Sequence, residues 1–300
     1  MNIIITGGTG FVGSNLSKYL EDKGNVVGKL SLRNPEWILN NNADIIIHLA
    51  GKAHDTANTS ADDEYFKINR DLTIQLFEEF LNSEIRDFIY FSSVKATADT
   101  IEGILDENHS SDPKTPYGKS KLEAENYLLS KDLPENKRLF IIRTCMIHGE
   151  GNKGTLNLIY KVVEKGIPWP LADFENNRSF LSIDNLNFLI ERIISDQNMA
   201  SGIYNFSDDK ALSTNELVKI IANTSGKTER LLEIPKYLIS IVAKTGDYLK
   251  LPLNSERLKK LTENYVVSNQ KIKTALNIDS LPVSAEEGMK RTIESFIHMK

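Results

Sequence analysis

The sequence predicts an α/β fold in which a doubly wound parallel sheet is accompanied by a smaller, helix-rich C-terminal lobe. Three observations lead to this prediction. The chain opens on an apolar run that gives way to the glycine turn TGGTGFVG and then to a helical pattern. Apolar runs and amphipathic patterns alternate as far as residue 149, as they do in parallel sheets. Beyond residue 149 the alternation becomes irregular, and helical patterns dominate residues 210–300.

Strands are predicted where short apolar runs are bounded by turn residues. One begins at residue 2, and the others cover Val26–Leu30, 43–50, 87–92, 138–143, 179–183 and 203–206. The run at 43–50 is continuously apolar up to His48, which is typical of a strand covered on both faces.

Helices are predicted where apolar residues recur at helical spacing. They follow the first glycine turn and cover 64–81, 116–130, 156–164, 185–194 and 214–222, with one short helix expected at 36–40. A polar loop at 96–115 ends at Thr115, which can cap the following helix with Pro116 in its first turn.

Composition excludes several classes of protein. The chain has 300 residues and a net charge of −5, so nothing recommends a nucleic acid as partner. Its single cysteine, Cys145, excludes an internal disulfide framework, and the five histidines show no metal-ligand spacing, so no metal site is expected.

The cytoplasm is the expected location, without insertion into a membrane. No apolar run approaches the roughly 18 residues that a spanning helix needs. The first strand begins at residue 2, which leaves no room for a signal peptide.

The opening segment has the order strand, glycine turn and helix that a dinucleotide-binding turn requires. Gly7 permits the tight turn, Gly10 lets the backbone approach a pyrophosphate, and Gly13 lets the helix lie close to the strand. The free N–H groups and the positive dipole at the start of that helix favour phosphate binding. A Rossmann-like cofactor lobe is therefore predicted.

A second pattern, PYGKSK at 116–121, points to redox chemistry. Tyr117 and Lys121 are four residues apart, so on a helix they share one face. A tyrosine has a reference pKa near 10, and a neighbouring ammonium or an oxidised nicotinamide lowers that value by stabilising the phenolate. Such a pair can move a proton on or off an alcohol oxygen while hydride moves between carbon and nicotinamide.

Further segments follow in a familiar order. They are HLAG at 48–51, FSS at 91–93, YGKSK at 117–121 and, after Arg143, HGEG at 148–151. With the glycine turn they resemble the extended short-chain dehydrogenase/reductases, the nucleotide-sugar epimerase/dehydratase group, over essentially the whole chain. The resemblance implies an NAD(P)-binding Rossmann domain at 1–154, to which 185–209 returns, and a substrate lobe formed by 155–184 and 210–300.

The resemblance also implies roles for the catalytic residues. Tyr117 is the general acid/base, and Lys121 lowers its pKa and binds the nicotinamide ribose. Ser93 would hydrogen-bond the reacting oxygen. Ser92 is the fallback, because the usual run is one residue longer and Val94 stands where many members have Ser or Thr.

Other positions match the family outside the catalytic helix. Arg178 in NRSFLSID resembles the arginine that grips the nucleotide diphosphate, and Asn157 and Arg257 are further candidates for that pocket. Asp184 is expected to cap the following helix, and Cys145 to pack near the nicotinamide without a chemical role. The cofactor contacts implied are Gly7, Gly10, Phe11, Val12, Gly13, Ser31, Arg33, Leu49, Ala50, Gly51, Asn69, Ser92, Tyr117, Lys121 and Met146.

Two departures from the family narrow the function. The acid that grips the ribose 2′-OH of NAD is missing, because Ser31 ends the second strand and Arg33 follows. This favours NADP(H), unless Arg33 is merely a loop residue and the pocket takes NAD by other contacts. Val94 and Lys95 stand where sugar dehydratases carry Asp-Glu, which argues against dehydration. The cysteine and histidine needed for 3,5-epimerisation are not recognisable either.

The predicted function is hydride transfer at C4 of a nucleotide sugar, with UDP favoured as the nucleotide. Two versions remain open: a 4-epimerase that retains NAD, and a 4-keto-reductase that exchanges NADPH. The alternatives are a non-catalytic NAD(P)-sensing protein of the same fold and a general ketone or alcohol reductase. The resemblance also suggests a homodimer formed through residues 64–81 and 116–130.

Overall fold

The computed structural model describes residues 1–52, 61–152, 154–249 and 253–298. Within these ranges the strands are β1 Asn2–Thr6, β2 Val26–Leu30, β3 Ile45–His48, β4 Asp87–Ser93, β5 Ile104–Leu105, β6 Arg138–Thr144, β7 Met146–His148, β8 Phe180–Ser182, β9 Gly202–Phe206 and β10 Val266–Val267. The α-helices are α1 Phe11–Asp22, α2 Asp62–Tyr65, α3 Leu72–Leu81, α4 Pro116–Leu129, α5 Thr155–Glu164, α6 Ile183–Ser195, α7 Thr214–Thr224, α8 Lys236–Leu249, α9 Ser255–Thr262, α10 Gln270–Ala275 and α11 Ala285–His298.

The main sheet is parallel and has the strand order β2-β1-β3-β4-β6-β9. All seven residues of β4 and all four of β3 are buried, because helices cover both faces of the sheet. The predicted α/β class is confirmed. Parallel pairing also brings the carboxyl ends of β1, β3 and β4 to one edge of the sheet, where a ligand site is expected.

Alternating side chains of each strand enter two different cores. Ile3 and Ile5 of β1 pack in one core with Leu16 of α1, while Ile4 packs in the other with Leu76 of α3. This alternation follows from the two-residue period of a strand. The first core also holds the apolar side of α6, and the second that of α4.

A third core lies in the C-terminal part of the chain. It is formed by apolar side chains of α5, α7, α8 and α11, including Leu156, Ile221, Ile239 and Met289. Strand β9 belongs to the main sheet, where it pairs with β6. The domain boundaries at 154, 184 and 209 stay a prediction.

The prediction of a short helix at 36–40 is wrong. Asn34 Oδ1 accepts the Glu36 N–H at 3.1 Å, and Asn40 Oδ1 accepts the Asn42 N–H at 3.1 Å. Asparagine side chains that bond to nearby backbone compete with helix formation. The segment therefore runs as an irregular loop that buries Leu39.

The helix predicted at 64–81 begins earlier, at Asp62, and contains a π-helical turn over Phe66–Asp71. Thr73 Oγ1 donates to the Asn69 carbonyl at 2.8 Å at the end of this turn. A π-turn rotates the side chains that follow it, and such turns are frequent at functional sites. Here the turn carries the fully buried Asn69.

The polar loop predicted at 96–115 contains β5, which pairs in parallel with β10 near the other end of the chain. At its end, Thr115 accepts the Gly118 N–H at 3.2 Å and Pro116 occupies the first helical turn, as predicted. Helix α6 is capped differently from the expectation. Ser182 is its N-cap and accepts the Asn185 N–H, whereas Asp184 lies within the first turn and pairs with Arg291.

Candidate active site

The glycine turn between β1 and α1 needs glycine for steric reasons. Gly7 has φ +69°, and a Cβ there would lie 2.8 Å from the Ala50 nitrogen. A Cβ on Gly13 would lie 2.3 Å from the Gly7 carbonyl oxygen. Gly10 is the N-cap of α1, and it has no side chain that could bond the first N–H groups of the helix. The helix therefore presents backbone N–H groups in the way that pyrophosphate binding requires, and the turn fits a dinucleotide.

The residues after β3 form the neighbouring wall of the glycine turn. The Leu49 N–H donates to the Thr6 carbonyl at 3.2 Å, and the Ala50 N–H donates to Thr6 Oγ1 at 3.1 Å. Gly51 follows at the surface. A Cβ on Gly51 would lie 3.0 Å from Asn69 Oδ1 and 3.3 Å from Lys121 Nζ. Gly51 therefore lies where the segment after β3 passes Asn69 and Lys121 of α4.

Asn69 is buried, not facing solvent. Its Oδ1 accepts the Lys52 N–H at 2.7 Å, and its Nδ2 donates to the Lys52 carbonyl at 3.1 Å. The same amide nitrogen donates to Ser120 Oγ on α4 at 3.1 Å. Asn69 thus fixes the segment after β3 against α4, behind the site that the glycine turn and Lys121 define.

The first turn of α4 is held by the carboxylate of Asp99. One oxygen accepts the Lys114 N–H at 2.6 Å and the Thr115 N–H at 3.1 Å. The other accepts the Thr115 hydroxyl at 2.9 Å. Tyr117 lies in this turn, so the position of its phenol depends on the N-cap Thr115, which both oxygens of Asp99 hold in place.

Tyr117 hydrogen-bonds with Ser93, the last residue of β4. Its ring also meets the Tyr65 ring edge-on, with the centroids 6.2 Å apart. Burial raises the pKa of Tyr117 above its usual value, and the Ser93 hydrogen bond acts in the opposite direction. Lowering this pKa toward neutrality requires positive charge beside the phenol.

Lys121 lies one turn further along α4 and is almost fully buried. Its Nζ donates to the Phe91 carbonyl at 2.9 Å and lies 4.8 Å from the centre of the Tyr90 ring. Burial lowers its pKa to about 8, while the Glu125 carboxylate acts to raise it. The predicted pair on one helix face is present, and its cation is held at the end of β4.

The structure distinguishes Ser93 from Ser92, the alternative candidate for the same role. Ser92 Oγ donates to the Glu125 carboxylate, on the α4 side of the sheet. Ser93 accepts the Lys95 N–H at 3.2 Å and hydrogen-bonds with Tyr117. Ser92 is thus occupied by the buried Glu125 carboxylate, whereas the Ser93 hydroxyl, at the end of the strand, acts on the phenol. Ser93 is therefore the better candidate to hydrogen-bond the reacting oxygen of a substrate.

Glu125 and Arg143 form a buried ion pair that the sequence reasoning did not assign. Arg143 Nη2 donates to Glu125 Oε2 at 2.5 Å, and Nε lies 3.1 Å from both carboxylate oxygens. The sequence feature that could have indicated this pair is the position of its members. Glu125 follows Lys121 by one helical turn, and Arg143 lies near the end of the strand that follows α4. The pair joins α4 to β6 directly beneath Lys121.

Arg178 lies near the loop that follows Ser93. Its Nη1 donates to the Lys260 carbonyl, and Nη2 lies 3.6 Å from Glu263 Oε1. Its charge acts on Lys95 and on Cys145, and burial lowers the pKa of the guanidinium. Burial raises the pKa of the Cys145 thiol, which keeps it protonated.

The remaining predicted contacts are spread around this centre. Met146 is half-buried in β7, and Asn157 on α5 donates to the Asn152 carbonyl at 3.1 Å. Arg257 is exposed on α9, where its backbone N–H donates to the Asn254 side chain. Phe11 and Val12 lie at the start of α1, half-buried against the first core.

Ser31 and Arg33 are both exposed after β2. Lys29, which the sequence reasoning missed, lies closer to the glycine turn, since a Cβ on Gly8 would meet Lys29 Cγ at 2.8 Å. Strand register explains this placement, because Lys29 pairs with Ile5, two residues before Gly7. A basic residue next to a glycine turn could only be recognised once the two strands were paired.

The described residues include no group of three His, Cys, Asp or Glu side chains arranged to hold a metal ion. No helix among them has both the length and the apolar character needed to cross a bilayer.

Comparisons with known proteins agree with this geometry. The sequence profile of the NAD dependent epimerase/dehydratase family matches residues 3–207. A UDP-glucose 4-epimerase of Vibrio cholerae is 29% identical over 99% of this chain and 95% of its own length.

Two solved structures show the same fold. MoeE5 in complex with UDP-glucuronic acid and NAD superposes with a TM-score of 0.78 at 18% identity, covering 100% of both chains. RMD from Pseudomonas aeruginosa complexed with NADPH superposes with a TM-score of 0.73 at 17% identity, covering 98% of both chains.

Proposed function

This chain belongs to the NAD dependent epimerase/dehydratase family, and from that premise we propose hydride transfer at C4 of a nucleotide-activated sugar as its reaction. It is an enzyme of the extended short-chain dehydrogenase/reductase type, and UDP is the favoured nucleotide. The observation that carries the proposal is the buried Lys121 one turn after Tyr117 on α4, held against the end of β4 at the sheet edge that also contains Ser93 and the glycine turn.

Each catalytic side chain has a definite task. Ser93 hydrogen-bonds the oxygen on C4, and Tyr117 accepts the proton of that hydroxyl or returns it. Lys121 places an ammonium on the same helix face and favours the phenolate that proton transfer requires. The nicotinamide, when bound, supplies the hydride acceptor or donor and, when oxidised, a second positive charge.

The residues present also fit the cofactor. The Gly7–Gly13 turn leaves backbone at the start of α1 for the pyrophosphate. Leu49, Ala50 and Gly51 form the adjacent wall, and Asn69 holds that wall in place. We assign a nicotinamide dinucleotide to this cleft, with the nicotinamide end toward Tyr117.

Arg178 is the proposed ligand of the sugar-linked diphosphate. Its planar guanidinium suits bidentate contact with phosphate oxygens. Its partial burial makes the charge more effective than it would be in open solvent, and it lies within electrostatic range of Lys95, two residues after Ser93. Glu263 is its partner in this structure and would compete with the diphosphate.

The reaction has an epimerase form and a reductase form. Similarity to the Vibrio cholerae 4-epimerase over nearly the whole chain supports the first. The basic residues Lys29 and Arg33, with no acid between Asp22 and Glu36, support the second through NADPH. Both forms use the same proton transfer at Tyr117.

The first experiment compares the two forms directly. Freshly purified protein is analysed for bound NAD and then assayed with UDP-hexoses and, with NADPH, UDP-4-keto-sugars. Retained NAD with interconversion of UDP-hexoses is the expected result for an epimerase. Empty protein that oxidises NADPH only with a UDP-4-keto-sugar is the expected result for a reductase. No turnover in either assay, with dinucleotide binding intact, would replace the proposal with a sensing role.

Cofactor preference is tested by removing the basic residues near the glycine turn. Lys29→Ala and Arg33→Ala should each weaken NADPH binding about tenfold and leave NADH binding nearly unchanged, since each loses one charge-assisted contact to a phosphate. Dissociation constants measured by nicotinamide fluorescence separate the two cofactors. Lys18→Ala, an exposed lysine on α1, is the control. Equal weakening of NADH and NADPH would refute a 2′-phosphate pocket.

Location and assembly stay predictions. The lone cysteine, Cys145, is buried and fits a reducing compartment such as the cytoplasm. The homodimer would use α3 and α4, whose outer surfaces are linked by the Tyr127 hydroxyl bonded to Glu78.

A further inference from the structure

Helix α8 carries an unusual exposed apolar face. Ile239, Ala243 and Gly246 form its buried side, and a Cβ on Gly246 would collide with the Leu253 carbonyl. The outward side is also apolar. Large exposed side chains on this one helix are Tyr237, Leu238, Ile241, Val242, Tyr248 and Leu249. Their exposures reach 65% for Tyr237 and 88% for Tyr248, so no segment in the described part of the chain covers them.

These side chains form a continuous stripe. At about 100° per residue, Tyr237, Ile241 and Tyr248 lie opposite the buried side of the helix. Leu238, Val242 and Leu249 continue the apolar arc along one flank toward the buried side. Thr245 interrupts the stripe, but its hydroxyl donates to the Ile241 carbonyl at 3.0 Å and is therefore satisfied within the helix. The exposed Lys244 lies beside the stripe. Helices that are apolar on both sides are normally buried, so this surface indicates a partner.

Charge around the helix identifies the chemistry of that partner. Residues 227–260 contain eight lysines and arginines against four carboxylates, a net charge of +4 in a chain whose total is −5. Lys236 and Lys244 lie on α8, and Lys259 is exposed on the adjacent α9. The acid on α8 is Asp247, whose carboxylate is bonded to Ser255. A negatively charged apolar surface complements this combination.

A second copy of the chain fits less well. A 14-residue helix is about 21 Å long and about 10 Å wide, so the stripe offers on the order of 200 Å². Stable dimers bury about 800 Å² on each partner. A two-fold contact would also place the basic segment 227–260 against its own copy.

We propose that the outward face of α8 docks on the surface of an anionic lipid bilayer. Ile241, Val242 and Leu238 enter the outer part of the apolar layer, and Tyr237 and Tyr248 lie at the headgroup level. Lys244, which borders the stripe, extends its ammonium group to lipid phosphates. The Lys236 ammonium lies 5.8 Å from the centre of the Phe174 ring and takes no part in this contact. The contact is peripheral and does not depend on which reaction the enzyme catalyses.

Vesicle sedimentation tests this surface on the whole chain. Phosphatidylcholine vesicles with about one-third phosphatidylglycerol should bind the wild type, and pure phosphatidylcholine should bind it at least about tenfold more weakly. Ile241→Glu should reduce binding to the anionic vesicles at least about tenfold, because it places a carboxylate among anionic headgroups. Lys244→Gln should weaken binding to the anionic vesicles alone.

Ile38→Glu is the matched control, since Ile38 is 85% exposed in a loop of the cofactor lobe and gains the same charge. Thermal unfolding should be unchanged in both glutamate variants, because both positions are exposed. The proposal fails if the wild type does not sediment, or if Ile241→Glu binds as Ile38→Glu does. It also fails if Ile241→Glu converts a solution dimer to a monomer without any lipid binding, which would make a second copy the partner.

Discussion

A Tyr117→Phe enzyme should turn over its substrate about 10²–10⁴ times more slowly than the wild type. The change removes the phenolic oxygen that hydrogen-bonds with Ser93 but keeps the ring that packs against Tyr65. Proton transfer to and from the C4 oxygen then has no group at this position. Dinucleotide binding should persist, because the glycine turn and Lys121 are untouched.

Turnover and cofactor dissociation constants, measured on the same preparation, separate these effects. Tyr127→Phe is the matched control on α4, where the hydroxyl removed is bonded to Glu78 away from Ser93. That variant should keep its turnover within about twofold and lose about 1 kcal/mol of stability at most. Full activity in Tyr117→Phe would remove Tyr117 from the catalytic role.

A Glu125→Gln variant should lose about 3–5 kcal/mol of unfolding free energy. Glu125 is fully buried and accepts hydrogen bonds from Arg143 and Ser92. An amide in its place leaves the buried guanidinium without a counter-charge. Urea unfolding measures the loss, and the double variant Glu125→Leu/Arg143→Met should recover much of it because no buried charge remains.

The same variant should alter the pH dependence of turnover. Glu125 acts to raise the pKa of Lys121, which burial lowers to about 8. Without the carboxylate, Lys121 loses its proton at a lower pH, so the alkaline decline in turnover should begin earlier. Glu123→Gln is the control, because Glu123 is exposed on the same helix and pairs with Arg70. Exposed pairs contribute about 0–1 kcal/mol, so equal destabilisation by the two changes would contradict the buried-pair argument.

Much of this protein follows from local patterns. The apolar runs predicted strands at Val26–Leu30 and at the three central positions of the sheet, and the structure contains all of them with ends shifted by a few residues. Thr115 and Pro116 marked the start of α4, which confirmed that Tyr117 and Lys121 share a face. The glycine spacing likewise predicted a turn that only glycine can form.

Predictions failed where nearby side chains competed with the backbone. The short helix expected at 36–40 does not form, and Asn34 and Asn40 instead make side-chain-to-backbone turns at the two ends of the segment. The π-turn at Phe66–Asp71 was equally invisible, because its residues have the same apolar spacing as an α-helix.

Strand period, helix period and capping act between residues that are close in the chain, so the individual strands, the glycine turn and the Tyr117–Lys121 pair could be predicted from local patterns. Long-range packing placed Ser93 beside Tyr117, paired Glu125 with Arg143 and left the outer face of α8 exposed. Those outcomes depend on which surfaces long-range packing brings together and which it leaves to solvent. Sequence periodicity shows that a helix has two apolar sides, but only the packed structure shows which of them the protein itself covers.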